Sequence, residues 1–486
     1  SFIDTHPPLL SLYLALMMKL GGSSEVWLHL SFVIFPVMAA LSLYFIARRY
    51  TSNAIFTALI FAGTPGVAVM SHTLMSDLPG LAFWLAAIAF YIYGLENRSP
   101  ALMAISGLLL SLGIFTSYQV LGALPLLFAY TLLRRRISLQ TLLPLFLPLC
   151  FFIFFAIWHL AATSSLPGLE HVNYVQKEPF ALKAIFARIV SLISTVGGAT
   201  VFPLVLLPVL VVRKKDLFAF TSLFLPTLAF TSVRYLMGLS GIIEYVLVSL
   251  FLPLGLFFLY KACGEGWRRF RDGYGDAAAL GGMLLLWIEV IIFVVVFLLP
   301  FSSVKYVMPL FPPVILLFVW LVEERFDAGR VRNILMAAVL STAALGILVS
   351  FADYELADSK RFFAETEAVR YGQEVEATGN RLWFSSEFGV RYYMERQGFE
   401  ELGEGSRVKS GDLVVLPLIA GSRTPVHLEN RLHLVDSVSI YGSSPLRVTD
   451  HRAGAGFYGS RWGPLPYSFS TGSLDEYLIY KVDSFE

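Results

Sequence analysis

Charge is what this sequence lacks. Only 15% of its 486 residues are Asp, Glu, Lys or Arg, while 56% are hydrophobic. A soluble protein carries about 25% charged residues, so there is too little polar material here to cover a water-facing surface. A mean hydropathy of +0.69 says the same. The near-absence of cysteine, with only Cys150 in an apolar stretch and Cys263 in a basic one, excludes a disulfide-stapled scaffold. A net charge of +1 excludes the basic footprint of a nucleic-acid binder. No internal repeat is evident, and charges near the middle of apolar stretches are few, Glu289 being the clearest. A transporter usually shows both features.

What the sequence has is apolar length and aromatic rings. Forty-one Phe, 22 Tyr and 8 Trp suit the aromatic belts of a membrane protein. Stretches of about 20 apolar residues, enough to cross a bilayer, fall near 26–47, 53–72, 79–95, 101–118, 119–133, 140–162, 186–212, 217–236, 243–261, 279–300, 305–322 and 332–352. This reading gives about twelve spans. If residues 1–25 lie outside, 16 Lys and Arg fall on the inner loops, among them Arg48, Arg49, Arg134–Arg136 and Arg213–Lys215, against about six on the outer ones. That bias follows the positive-inside rule. It puts residues 1–25, 73–78, 163–185, 237–243, 301–304 and everything after Asp353 outside.

The composition changes near residue 353. Residues 1–352 read as the transmembrane domain, and 353–486 as a small extracytoplasmic α/β domain without a further span. Within it, 360–377 has the spacing of an amphipathic helix, with Phe362, Phe363, Val369 and Val375 as its apolar positions. Arg381–Ser385 and Asp412–Leu416 read as buried strands around a helix over Glu387–Arg396, and Leu432–Tyr441 and Tyr477–Val482 as further strands. The chain opens with Ser1, and no apolar helix precedes Asp4. The expectation is a piece whose first helix lies upstream.

Polar residues gather on the outer loops: Asp4-Thr5-His6-Pro7-Pro8, Ser76-Asp77, Glu170-His171, Arg234-Tyr235 and Lys305-Tyr306. The first of these, continued by Leu9-Leu10, resembles the Asp-x-His-Pro-Pro-Leu loop of protein O-mannosyltransferases and of family 39 membrane glycosyltransferases such as the lipid A aminoarabinose transferases. Ser71-His72-Thr73-Leu74-Met75-Ser76-Asp77-Leu78-Pro79 resembles their second external loop. Ser303-Val304-Lys305-Tyr306-Val307-Met308-Pro309 resembles their late basic-aromatic-proline loop, and Gly21–Glu25 with Ala47–Tyr50 resembles the flanks of their second helix.

That resemblance implies a polytopic α-helical membrane protein of the GT-C fold, multi-pass in the bacterial inner membrane. It implies transfer of a sugar, with inversion, from a polyprenyl-phosphate carrier to a protein, lipid or glycan acceptor at the outer face. The expected partners are therefore the lipid-linked donor, the acceptor and membrane lipids, with no nucleic acid. The resemblance fixes no cofactor, and a divalent cation is left open. The family's acidic residue regarded as catalytic lies upstream of the Pro-Pro motif, where this chain has not yet begun.

Asp4 and Asp77 are the candidate catalytic carboxylates, since a carboxylate within hydrogen-bond reach can take the acceptor proton. His6, Lys305, Tyr306 and Arg234 are the candidate substrate-binding residues, with the two cations suited to a carrier phosphate. Each has a plainer reading. Asp77 can be a helix cap before Pro79, Asp4 and His6 ordinary turn residues, and Lys305 a snorkelling lysine. Loop 164–185, with Glu170, His171, Tyr174, Lys177 and Glu178, reads as a cover over the site or as solvated chain. The competing function is a non-catalytic lipid-binding or transport protein on the same scaffold.

Overall fold

The computed structural model describes residues 7–167, 182–273, 275–386, 389–403, 405–419, 428 and 431–483. Among the described residues nine helices are long and apolar enough to cross a membrane: Glu25–Arg48, Asp77–Asn97, Leu139–Thr163, Leu182–Ala199, Lys214–Leu236, Ile242–Asp272, Asp276–Leu298, Val304–Arg325 and Ala328–Glu376. The protein is thus a multi-pass, mostly helical integral membrane protein with a strand-containing C-terminal part, as expected.

The expected spans differ from these helices in detail. The stretch 53–72 divides into Ala54–Gly63 and Pro65–Met70. Thr64 is extended because a residue before proline is kept out of the helical region. Its side chain caps the new helix by accepting from the Val67 N–H at 3.3 Å. The stretch 186–212 breaks in the same way before Pro203, and the Thr342 hydroxyl accepts the Phe202 N–H at 3.0 Å. The stretches 101–118 and 119–133 are the short helices Pro100–Ile114 and Tyr118–Leu133. Residues 1–25, read as a loop, contain the helix Leu9–Gly21. Pro7-Pro8 hid it: proline marks turns but also suits a helix start. Gly22 ends it at a φ of 82°, which a residue with a Cβ rarely adopts.

By their contacts the residues form two units, 1–348 together with 456–466, and 349–455 together with 467–486. The boundary read at 352/353 lies near the first division. The return of 456–466 to the first unit has no counterpart in composition.

The core of the first unit is Val304–Arg325. Every residue from Phe311 to Val322 is buried, as expected of a helix that is apolar on all sides and surrounded by others. Trp84 and Trp287 stack beside it at 5.7 Å and 11°. Leu182–Ala199 and Ile242–Asp272 cross at Gly197 and Gly255, where a Cβ on either would run into the other helix's backbone. Small residues at such a crossing let two membrane helices touch. At one end of the unit the basic residues are paired, Arg49 with Glu96 at 2.5 Å, Arg325 with the buried Asp216 at 3.7 Å, and Arg268 with Glu265 at 2.9 Å.

The second unit is built on a five-stranded mixed sheet. Its strands are β1 (Leu382–Phe384), β2 (Glu400–Glu401), β3 (Leu413–Pro417), β4 (Leu432–Ile440) and β5 (Asp475–Val482), in the order β2-β1-β3-β5-β4. β1 runs parallel to β2 and β3, and β5 antiparallel to β3 and β4. Alternation sends Leu382, Phe384, Leu413 and Val415 to one face and Trp383, Val414 and Leu416 to the other. Both faces are covered, which is why β1 and β3 read as unbroken apolar runs. The helix over Glu387–Arg396 is present as Val390–Arg396, residues 387 and 388 lying outside the described set.

The amphipathic helix at 360–377 is the continuation of the last span, with a π-turn at Phe363–Glu367. The extra residue in that turn shifts the helix phase. Phe363, Ala364, Ala368, Tyr371 and Val375 therefore face the sheet, and Phe362 is 51% exposed. Phe363 stacks on Tyr477 of β5 at 3.7 Å.

Asp475 opens β5 almost fully buried, and burial pushes its carboxyl up to about 6. The folded value lies above the unfolded one, so this group's stabilisation is complete at low pH and is lost as pH rises through about 6. Protection of the β5 amides from hydrogen exchange, corrected for intrinsic rate, should therefore rise between pH of about 7.5 and about 5. Asp475→Asn should flatten that rise; an unchanged slope would mean another group titrates.

Candidate active site

Three chain segments meet at the end of the first unit opposite the paired basic residues. The break at Thr64 lets Pro65–Met70 pack on the start of the central helix, where Gly66 lies against Phe311 and Val304. The chain then runs through His72 to Ser76 and enters the helix Asp77–Asn97. Gly80 of that helix abuts Ser117, and the Leu9 N–H donates to the neighbouring Phe115 carbonyl at 2.9 Å. The Pro-Pro segment and the Asp77 loop are therefore tied to the same turn.

Asp77 and Lys305 face each other across this junction, Nζ to Oδ2 at 3.8 Å, with side chains 9% and 16% exposed. Each stands in the first turn of its helix. Ser303 caps the Lys305 helix by accepting the Tyr306 N–H at 3.4 Å. The Ser76 side chain makes no cap bond to the Asp77 helix, and the Asp77 carboxylate lies against the lysine. The Lys305 ammonium also lies over the Tyr306 ring at 4.9 Å, and Tyr306 packs on Phe301 at 5.7 Å.

The other expected site residues do not join this pair among the described residues. Asp4 and His6 lie outside the described residues, as does loop 164–185 over residues 168–181, with Glu170, His171, Tyr174, Lys177 and Glu178. Arg234 pairs with Glu244 at 3.1 Å between the helices Lys214–Leu236 and Ile242–Asp272, and also lies over Phe230. Lys305 and Tyr306 are thus brought to Asp77, while Arg234 is engaged elsewhere.

Two residues absent from the expected set belong near this junction. His29 pairs with Glu25 at 3.8 Å and interacts with His72. The signal was the i,i+4 spacing of Glu25 and His29, which apolar counting passes over. Among the described residues no group of three His, Cys, Asp or Glu side chains is arranged to hold a metal ion, so no ligands for a divalent cation are assigned.

The arrangement is a neutral carboxylate–ammonium pair under a nearly closed helix junction. Such a pair can accept a proton at Asp77 and hold an anion at Lys305, provided an incoming ligand parts them. The family model for dolichyl-phosphate-mannose-protein mannosyltransferases matches residues 5–159, the stretch containing the Pro-Pro segment and the Asp77 loop. The match covers 155 of the 486 residues, so the likeness to these mannosyltransferases is one of the N-terminal third of the chain.

Among individual proteins, the chain is 30% identical over 124 residues to the lipid A galacturonosyltransferase RgtD of Rhizobium johnstonii. The match covers 25% of this chain and 26% of that relative. Among solved structures it overlaps the Archaeoglobus fulgidus oligosaccharyltransferase at 13% identity and a TM-score of 0.44, over 84% of this chain and 51% of the other. It also overlaps ArnT from Cupriavidus metallidurans bound to undecaprenyl phosphate, at 14% identity and a TM-score of 0.35, over 88% and 86%. These overlaps are loose.

The pairing of Asp77 with Lys305 has a measurable consequence. Residues in direct contact couple by roughly 0.5–3 kcal/mol. Asp77→Asn and Lys305→Met together should therefore destabilise the detergent-solubilised protein to thermal unfolding by less than the sum of the two single changes. Strict additivity would show that the two side chains do not interact.

Proposed function

We propose that the protein is an integral-membrane glycosyltransferase that moves a sugar, with inversion, from a polyprenyl-phosphate carrier to an acceptor hydroxyl. The observation that carries the proposal is the 3.8 Å pair of Asp77 and Lys305 within loops of the glycosyltransferase pattern. The family match over 5–159 supports it. The chain's match spans about a quarter of the curated relative, so activity, substrates and partners all belong to this proposal.

In this reading the donor phosphate competes with Asp77 for Lys305 and frees the carboxylate. The freed Asp77 takes the acceptor hydroxyl proton as that oxygen bonds to the anomeric carbon. The bond from the anomeric carbon to the phosphate oxygen breaks with its electron pair, and the polyprenyl phosphate leaves against Lys305. Asp4 and His6 are assigned to the same centre from the motif alone. The site faces the outer side of the bacterial inner membrane, as the basic bias of the opposite loops supports. The C-terminal unit then lies outside. The curated relative's name makes lipid A the acceptor, and galacturonic acid the sugar, to try first.

The second reading, a lipid-binding protein without catalysis, is favoured by the closeness of the pair, which a purely structural ion pair would share. Transfer from undecaprenyl-phosphate-linked sugars should be followed with the full chain in liposomes. Asp77→Asn keeps side-chain size and should lower turnover roughly 100-fold or more while the protein stays folded. Full transfer by a folded Asp77→Asn protein would leave Asp77 a structural role only.

The orientation has its own check. Protease added outside spheroplasts should remove the chain after Asp353 and spare Arg134–Arg136, whereas a protected tail would reverse the proposed topology.

A further inference from the structure

The segment 456–466 leaves the second unit and packs into the first, against the loop that carries Lys305. The Ser460 N–H donates to the Ser302 carbonyl at 2.7 Å, and the Val304 N–H donates to the Phe457 carbonyl at 2.9 Å. The Ser302 N–H in turn donates to the Ser460 hydroxyl at 3.1 Å. Gly456 is required inside the segment, because a Cβ there would strike the Gly463 carbonyl. From the other side Arg188, itself buried, donates to the Leu299 carbonyl. The loop 299–304 is thus held at both ends.

The clamp also delivers a charge. The exposed Arg461 places its guanidinium over the Phe301 ring at 5.3 Å. Phe301 packs on Tyr306, and Tyr306 lies under the Lys305 ammonium. Two cations therefore flank one aromatic pair.

We infer that Arg461 is a second cation for the carrier phosphate, brought to the Lys305 end by the returning segment; the inference rests on the glycosyltransferase reading above. The charge balance favours a second cation here. The sugar-carrying lipid is a phosphodiester with one negative charge. Once the anomeric carbon–oxygen bond has broken, the monoester left behind carries close to two at neutral pH. Asp77 is neutral once it holds the acceptor proton, so Lys305 alone sets one positive charge against a leaving phosphate of nearly two negative ones, and one negative charge is left without a counterpart. A guanidinium meets phosphate oxygens with two parallel N–H donors, and Arg461 is held by backbone bonds made by its own segment.

An interaction with the developing charge acts on turnover more than on donor binding. Arg461→Ala in the full chain in liposomes should bind undecaprenyl monophosphate roughly 10-fold or more weakly and lose kcat to a similar degree. Its KM for the sugar-linked diester should move by less than about 3-fold. Arg461→Lys keeps a cation without the fork and should recover part of both losses, which also guards against misreading a folding defect. Full monophosphate affinity in Arg461→Ala, with affinity lost in Lys305→Ala, would overturn this inference and leave the glycosyltransferase reading intact. Affinity unchanged in both variants would remove the phosphate site itself. Equal losses in Arg461→Ala and Arg461→Lys, together with a lowered melting temperature, would make the residue structural and end the inference.

Discussion

Inside a bilayer a backbone N–H has no water to turn to, and an unmet one costs several kcal/mol. That constraint shapes the membrane unit more than any side-chain pair. A proline that breaks a span must be accompanied by a substitute acceptor, and two are present. The Thr64 hydroxyl caps the helix after the first break, and the Thr342 hydroxyl takes the Phe202 N–H at the second. The first break is also what bends the chain so that Pro65–Met70 rests on the central helix, and what allows Ser71–Asp77 to reach Lys305. The polar junction is in this sense a by-product of a satisfied helix break.

At that junction the electrostatics favour restraint. A carboxylate and an ammonium, both largely buried, are each other's counter-charge, and an isolated member of such a pair would be costly. The pair is stable at rest, and in the proposed reaction it acts only when an anion displaces one partner. Pre-positioning comes from the elements beneath it: Lys305 heads a helix whose walls are fully packed, and the loop before it is clamped by Arg188 and by Ser460. Such support on rigid elements lets a site hold its geometry while its ligands change.

Much of this was legible in residue order. Apolar length announced the helices, and short unbroken apolar runs announced β1 and β3. The hidden parts have physical causes. Helix Leu9–Gly21 was masked because Pro7-Pro8 serves a turn and a helix start equally well. The π-turn at Phe363–Glu367 shifts the helix phase by one residue, so a face drawn at regular spacing included Phe362, which points away from the core. In the site, Asp77, Lys305 and Tyr306 were named from their loops, and the 3.8 Å approach of the first two is a long-range contact that no local pattern encodes. Arg461 was missed for the same reason, since its neighbours Phe301 and Ser302 stand some 160 residues earlier. Arg234 was read as a phosphate contact from its position at a span end, and in the structure it pairs with Glu244 on the next helix.

The second unit is interrupted by the excursion of 456–466, and its sheet is completed only afterwards. β5 is the last strand made, yet it lies between β3 and β4 and hydrogen-bonds to both. Until it is inserted, two strand edges stand open and the Phe363 ring has no Tyr477 to cover it. Non-local pairing of this kind is slow to form, and an open strand edge invites association with other chains. A chain that stops short of residue 475 therefore cannot hide its defect. The architecture makes the segment Asp475–Val482 a check on the synthesis of what precedes it, written into the middle of the sheet rather than at its rim.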